Sequence, residues 1–192
     1  MTSPEAAGDF AAISRGPRRR EMRLFLLGDA LPCLSAFSAT YSPTDCPAPN
    51  SVLFDKNPAA AVIGADASSA TTRRQLAWTL DSTIRTAIKL SSRLPALHHV
   101  VVVLDNPTLP SRLVLRWADQ AANRIHEQVA REHGDYVVVT FLVVTDAVDP
   151  GTLAERIHDR IMQAPASDVA TALSWDEVEH GSIAQAAIND YL

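Results

Sequence analysis

Apolar runs alternate with longer amphipathic stretches along this chain. The runs fall within residues 23–27, 100–104 and 136–145. A run of about five apolar residues without alternation is typical of a strand that is buried on both faces. The sequence therefore predicts three such strands, and an acid follows each of them: Asp29, Asp105 and Asp146.

Two further segments have weaker strand patterns. Leu34–Tyr41 alternates loosely and is rich in Phe, Thr and Tyr, which predicts a half-buried second strand. Residues 51–54 and 59–65 predict a third strand, with a turn or bulge at Asn57 and Pro58 between the two parts.

Spacings of three and four between apolar residues predict three helices and a tail helix. Helix one runs from residue 68 or 69 to 93, helix two from 111 to 133, and helix three starts at Asp149 and Pro150. The tail helix, residues 174–191, opens on a capping box between Ser174 and Glu177. Three strands followed by alternating helices and strands predict an α/β domain with a mixed sheet of about five strands and helices on its faces.

Length and charge limit the organisation of the chain. Its 192 residues, 47% of them hydrophobic, suffice for one good core. We expect residues 1–21 to be a disordered tail that ends in the basic cluster Arg18–Arg20, residues 22–163 to be the domain, and residues 164–192 to be a linker and a C-terminal helix. The net charge of −5 argues against bulk gripping of duplex phosphates.

The cysteines and the apolar runs bear on the compartment. Cys33 and Cys46 lack metal-ligand spacing, which is typical of reduced residues in an intracellular protein of the cytoplasm or nucleus. No segment has the pattern of a secretory signal, and no apolar run approaches the roughly 20 residues that cross a bilayer. We expect no membrane partner.

The acids that follow strands are the candidate functional residues. Ligands collect at the carboxyl ends of strands in open α/β sheets, which points to Asp29 and Asp105. An Asp after a strand is also a common turn or cap residue, and for both aspartates the two interpretations stay open. Asp66, in the segment GADASS, is predicted to cap helix one, because Ala70 breaks the DxSxS spacing of a metal-ion-dependent adhesion site; Ser68 and Ser69 are the other N-cap candidates.

Three short motifs carry a resemblance to a known family. They are Leu27-Gly28-Asp29-Ala30, Val103-Leu104-Asp105-Asn106, and the segment from Val144 to Gly151 with its Pro-Gly turn. In this order they resemble the ribonuclease H domains that follow reverse transcriptases in retroelements, over about residues 22–163. The resemblance implies a three-layer RNase H-like fold. The alternative is a von Willebrand A-like or other Rossmann-type doubly wound sheet, in which the strand that ends at Asp66 comes first.

The resemblance also implies a metal site. Members of the family hold two divalent ions, Mg²⁺ or Mn²⁺, with strand acids, a Glu in the first helix and a late Asp or His. Carried over to this chain, Asp29, Asp105 and Asp146 are the metal ligands, and Asp149 joins them as a catalytic candidate. Other candidates for the late position are Glu155, His158 and Asp159.

One member of the implied metal set is missing from the chain. The first turn of helix one has Gln75 where the family has a Glu, with Arg73 and Arg74 beside it. A neutral amide cannot supply the charge that divalent ions require. We therefore expect a non-catalytic module that binds RNA, an RNA/DNA hybrid, or a protein partner through the C-terminal helix. The alternative is a metal-dependent ribonuclease that cleaves RNA in RNA/DNA hybrids.

Aromatic and histidine residues receive structural interpretations. The three tryptophans lie in predicted helices, where packing in a core or interface is favoured over base stacking: Trp78, Trp117 and Trp175. His98 and His99 precede a strand, so we expect them on the surface at the opposite end of the sheet from Asp105.

Overall fold

The computed structural model describes residues 24–40, 59–134, 136–145, 148–163 and 170–189. The strands within these ranges are β1 (Leu24–Gly28), β2 (Ala60–Asp66), β3 (His99–Asp105), β4 (Val138–Val144) and β5 (Ala170–Ser174). The helices are α1 (Ser35–Thr40), α2 (Arg73–Arg93), α3 (Ser111–His133), α4 (Pro150–Met162), α5 (Trp175–Val178) and α6 (Ile183–Asn189), and a 3-10 turn at Pro32–Leu34 precedes α1.

The five strands form one parallel sheet in the order β1-β2-β3-β4-β5. The prediction of an α/β domain with about five strands and flanking helices is confirmed. The prediction of a mixed sheet is wrong, because every pairing among the described strands is parallel. An antiparallel hairpin over residues 23–41 would have supported the RNase H-like arrangement.

The hairpin is absent from the described residues because the segment after β1 is helical. Leu31, Leu34 and Phe37 are buried at a spacing of three residues, which suits a helix face and not a strand. Pro32 stands at the first turn, where the missing N–H of proline is tolerated. The 3-10 turn and α1 therefore replace the predicted second strand, and β1 pairs with β2.

Helices cover both faces of the sheet and create two cores. On one face, α2 and α3 pack on alternate strand residues such as Ile63, Val102 and Phe141. On the other face, α1, α4 and α6 pack on the intervening residues, such as Val62 and Val103. This three-layer arrangement agrees with the doubly wound alternative in its parallel pairing. The strand order lacks the reversal of a doubly wound sheet, and β1 precedes the strand that ends at Asp66.

The predicted helices are found close to the predicted positions. Helix two is α3, which ends at Gly134 in the left-handed conformation, with φ of 70°. Helix three is α4, which Asp149 caps. Helix one is α2, but it begins at Arg73, several residues later than predicted.

The C-terminal region contributes more to the fold than predicted. Residues 170–174 form β5 and pair with β4 along the edge of the sheet, although residues 170–173 were predicted as part of a linker and Ser174 as the start of the tail helix. The capping box between Ser174 and Glu177 is confirmed, although it opens the short helix α5. Trp175 and Ile183 are buried in the second core. This segment therefore completes the domain within the described residues.

Buried basic side chains lie at the amino ends of the strands. His99, predicted to be exposed, is only 4% exposed, and its Nε2–H donates to the Gln163 carbonyl oxygen at 3.1 Å. Arg160 is buried beside it and donates from Nε to Oγ1 of Thr140 at 3.2 Å. Nδ1 of His99 and Nη2 of Arg160 have no hydrogen-bond partner in the described structure. His98 is exposed, as predicted.

Several predictions concern residues outside the described ranges. These are the basic tail at residues 1–21, the first part of the third strand at residues 51–54, Cys46 and Asp146. In the ranges that are described, none of the helices combines the length and apolar character needed to cross a membrane.

Candidate functional site

Parallel pairing brings three aspartates to the carboxyl edge of the sheet. Asp66 and Asp105 end β2 and β3 and stand directly opposite each other in the register. Asp29 follows Gly28, the last residue of β1, whose partner in the register is Gly64. Asp29 and Asp105 therefore follow the ends of β1 and β3, and Asp66 stands between them at the end of β2.

Two glycines permit the close approach that positions Asp29. Gly28 has a φ of 83°, in the left-handed region that favours glycine. A Cβ on Gly64 would collide with the carbonyl oxygen of Asp29. The N–H of Asp29 donates to the Gly64 carbonyl oxygen at 2.9 Å, and Oδ2 of Asp29 accepts from the N–H of Asp66 at 2.8 Å. The carboxylate of Asp29 is therefore held at the end of β2.

Asp66 and Asp105 occupy different electrostatic environments. The hydroxyl and the backbone N–H of Ser68 donate to the carboxylate of Asp66 and lower its pKa; the N–H lies 2.8 Å from Oδ1. Partial burial raises the pKa of Asp105, and the negative charge of Asp66 raises it further. Asp66 is therefore the stable anion of the pair. The predicted role of Asp66 as the cap of helix one is wrong, because its carboxylate closes a turn with Ser68.

Asn106 fixes the loop that follows β2. Its side chain is fully buried, and Nδ2 donates to the carbonyl oxygens of Ala67 and Ala70 at 2.6 and 3.3 Å. The backbone adds a bond from the N–H of Ala67 to the Asp105 carbonyl oxygen at 2.8 Å. Asn106 therefore holds the loop between Asp66 and α2 against the end of β3.

Gln75 closes the start of α2. Its Oε1 accepts from the N–H groups of Thr71 and Thr72, each at 3.0 Å, while Oγ1 of Thr72 accepts from the N–H of Gln75 at 3.3 Å. This reciprocal arrangement is a capping box. The carbonyl oxygen of Gln75 is thus engaged by the helix end, so Gln75 acts as a capping residue in this fold.

An open pocket of about 590 Å³ lies between the strand ends and α2. We call it the edge pocket; it is lined by Asp29, Asp66, Ser69, Arg74, Gln75, Trp78, Thr79 and Ser82. The α2 residues recur at spacings of about four, whereas the core side of α2 uses the interleaved positions, such as Leu76 and Leu80. One helix therefore presents an apolar stripe to the sheet and a polar stripe to the edge pocket.

Trp78 is the exception on the polar stripe. Its side chain is 78% exposed, the largest exposure among the large hydrophobic residues of the described structure. Trp175 is buried and Trp117 is half-buried, as predicted for packing residues. For Trp78, packing in the core of this domain is ruled out, because its position on α2 faces the edge pocket and not the sheet. Packing at an interface stays a prediction.

Asp149 serves as the N-cap of α4. Its Oδ2 accepts from the N–H of Thr152 at 2.7 Å and from the Thr152 hydroxyl at 2.8 Å. These two bonds, the backbone bond first, lower the pKa of Asp149. The other late candidates within the described ranges lie further along α4: Glu155, His158 and Asp159.

The donor set of the described residues does not fit a two-metal centre. In the described ranges, no group of three or more His, Cys, Asp or Glu side chains is arranged to hold a metal ion. Asp29 and Asp66 each accept hydrogen bonds from neighbouring main chain, and Asp149 caps a helix. Two divalent ions bring four positive charges, which this set of engaged carboxylates does not balance.

No family model, curated protein or solved structure matches this chain. The candidate site therefore has to be judged on its own geometry. That geometry consists of an exposed indole, two anchored carboxylates and a guanidinium around one open pocket.

Proposed function

We propose that this chain is a non-catalytic binding module for single-stranded RNA and that the edge pocket is its binding site. The exposed indole of Trp78 in a pocket otherwise lined by polar side chains is the observation that carries the proposal. An aromatic face open to solvent offers a stacking surface for a base. The pocket volume of about 590 Å³ falls within the usual range for small-ligand sites.

The charges of the edge pocket favour a nucleotide over a basic peptide. Asp29 and Asp66 contribute carboxylates from the strand ends, whereas α2 contributes the guanidinium of Arg74. Arg73 lies next to Arg74, and the first turn of α2 contains no acidic residue. Arg74 forms no ion pair with the described residues. A nucleotide uses both halves, since phosphate pairs with arginine and sugar hydroxyls donate to carboxylates. A basic peptide would meet the arginines with like charge.

The same charges favour a short single-stranded segment over a duplex. The pocket lining includes one arginine, and the net charge of the chain is −5, so few phosphate contacts are available to a duplex. Binding should therefore depend weakly on salt, with a slope near that of one or two phosphate contacts, about −0.7 per contact for single strands. Specific recognition of single strands depends instead on unstacked bases, which duplexes do not present.

A metal-dependent ribonuclease remains the second candidate, and one observation favours it. Asp66 stands directly opposite Asp105, whose pKa is raised first by partial burial and then by the charge of Asp66, so a cation between the two strand ends would relieve their repulsion. Cleavage of RNA/DNA hybrids in the presence of Mn²⁺, abolished by Asp105→Asn, would support this candidate over a binding module.

Fluorescence anisotropy with a labelled single-stranded RNA of about eight nucleotides tests the proposal. Trp78→Ala should weaken binding at least about fivefold, since base stacking on an aromatic side chain contributes about 1–3 kcal/mol. Trp78→Phe should retain most of the affinity because the aromatic face remains. The matched control is Tyr136→Ala, which removes an aromatic side chain that is 59% exposed near the amino end of β4.

Three outcomes would overturn the proposal. The first is equal affinity of wild type and Trp78→Ala for the RNA. The second is tighter binding of an RNA duplex than of the single strand. The third is tight binding of an arginine-rich peptide that Trp78→Ala weakens while RNA binds poorly, which would assign the edge pocket to a protein partner.

A further inference from the structure

We infer that the edge pocket binds the 3′-terminal nucleoside of an RNA strand and selects it by its free 2′,3′-diol. This inference rests on the proposed function and names the part of the RNA that the site takes. It follows from the arrangement of Asp29, Asp66, Arg74 and Trp78 around one pocket.

The two carboxylates retain acceptor positions after their internal hydrogen bonds are made. A carboxylate offers about four lone-pair positions. The N–H of Asp66 uses one position on Asp29, and the N–H and hydroxyl of Ser68 use positions on Asp66. Because these bonds also fix the carboxylates, their remaining lone pairs are pre-oriented acceptors. The groups they accept from best are hydroxyls and amines.

The carboxylates of Asp29 and Asp66 disfavour a nucleotide that carries a phosphate on its 3′ oxygen. Asp29 is exposed and its carboxylate is anchored beside Asp66, and the lowered pKa of Asp66 keeps that group ionised at neutral pH. An internal nucleotide carries a phosphate on its 3′ oxygen, and that anion would approach both carboxylates. A 3′-terminal nucleoside carries a hydroxyl there, which donates to a carboxylate. The pocket therefore discriminates by charge between the end of a strand and its interior.

The other lining residues suit the remainder of the terminal nucleotide. Trp78 offers its face to the base, as in the proposed function. Arg74 supplies a guanidinium for the phosphate on the 5′ side, a group that forms no ion pair with the described residues. The 2′-hydroxyl is the group that distinguishes RNA from DNA, so a terminal deoxynucleotide loses one of two donors to the carboxylates.

Four labelled RNAs that differ only at the 3′ terminus test the inference. Their termini are ribose with free hydroxyls, 2′-deoxyribose, 2′,3′-dideoxyribose and ribose with a 3′-phosphate. The full chain should bind the free-hydroxyl RNA about tenfold more tightly than the 3′-phosphate RNA, with the deoxy termini between them. In Asp66→Asn and in Asp29→Asn, the discrimination against the 3′-phosphate should fall to about twofold. Asp176→Asn, an equal charge change at an exposed position of α5, should retain the full ratio.

The outcomes separate this inference from the proposed function. Equal binding of all four RNAs by the wild-type chain, with Trp78→Ala still weakening each, would overturn the 3′-terminal inference and leave the RNA module intact. Absence of binding to every RNA would overturn both. Circular dichroism of the two asparagine variants establishes their folding; because the ratio of two affinities is measured within one variant, partial loss of folded protein leaves it unchanged.

Discussion

The polar side chains at the two ends of this sheet differ in their exposure to solvent. At the carboxyl edge, Asp29 and Asp66 are exposed, anchored by main-chain N–H groups and adjacent to an open pocket. At the amino end, His99 and Arg160 are enclosed, and each has a ring or guanidinium nitrogen without a partner among the described residues. Exposed, anchored acids suit ligand binding, whereas enclosed bases affect the stability of the fold.

The largest expected effect concerns the glycine pair that brings β1 and β2 together. Gly64→Ala should lower the free energy of unfolding by about 3 kcal/mol, because the added Cβ would collide with the Asp29 backbone. Gly181→Ala is the control, since no atom lies within 4 Å of a Cβ there, and its change should stay within about 0.5 kcal/mol. Urea unfolding measures both, and similar values would contradict the close approach of the two strands.

The next effect is a loss of stability at acidic pH that comes from His99, at the amino ends of the strands. Burial and then the charge of Arg160 lower the pKa of His99 from 6.5 to about 4. Between these pH values, His99 binds a proton in the unfolded chain but stays neutral in the folded chain. The protonation of His99 therefore lowers the stability of the fold as pH decreases from 6.5 to about 4. With some relaxation of the fold, we expect a loss of about 2 kcal/mol.

Variants of the two adjacent histidines sharpen this test. His99→Gln should flatten this part of the stability profile, whereas His98→Gln, at an exposed position, should leave it unchanged. Urea unfolding at intervals between pH 7 and pH 4 provides the measurement. An unchanged profile in His99→Gln would show that His99 does not titrate as a buried neutral base.

Asp149 tests whether an acid near the carboxyl edge acts only as a helix cap. Asp149→Ala should lower the melting temperature by about 3 °C, because the N–H of Thr152 loses its acceptor. Asp149→Asn keeps a side-chain oxygen at the cap and should melt close to wild type. A loss of Mn²⁺-dependent RNA cleavage in Asp149→Asn at unchanged stability would instead assign Asp149 to the catalytic set of the second candidate function.

The smallest effect comes from the partial burial of Asp105 and, after it, from the repulsion between Asp105 and Asp66. Because the pKa of Asp105 is raised in the fold, its ionisation opposes folding as pH rises above its ordinary value of 3.8. Asp105→Asn should therefore stabilise the chain at neutral pH, by only a few tenths of a kcal/mol since solvent screens the pair. The gain should disappear below about pH 3.5. Destabilisation at neutral pH would show that the carboxylate of Asp105 has a favourable partner.

The sequence predicted the elements whose patterns are strong over many residues. The continuous apolar runs of β3 and β4 and the long stripes of α2 and α3 were identified, because burial on two faces or on one stripe leaves few alternatives. Residues 34–40 were misassigned because their Phe and Thr content favours strands, whereas Leu34 and Phe37 obey a helical spacing. β5 was missed because its five residues, ATALS, are mostly small and bear no alternation.

The candidate site could be predicted only in part, for a physical reason. Asp29 and Asp105 carry a local signal, an acid directly after an apolar run. The local sequence around Asp66 is like that of a helix N-cap. Its position opposite Asp105 follows from the register between β2 and β3, which no local pattern encodes. Predicting that Trp78 is exposed in the edge pocket would have required knowing which side of α2 faces the sheet. The edge pocket is thus a property of the fold.

The indole N–H resonances of the three tryptophans test the central claim most directly. Trp78 lies in the edge pocket, Trp117 is half-buried on α3, and Trp175 is buried at the start of α5, so each reports on a different part of the molecule. In a titration of the ¹⁵N-labelled chain with a short single-stranded RNA, we expect the Trp78 resonance to shift in a saturable way while the other two stay nearly in place. Saturable binding that moves Trp117 or Trp175 and leaves Trp78 unchanged would contradict the assignment of the edge pocket as the binding site.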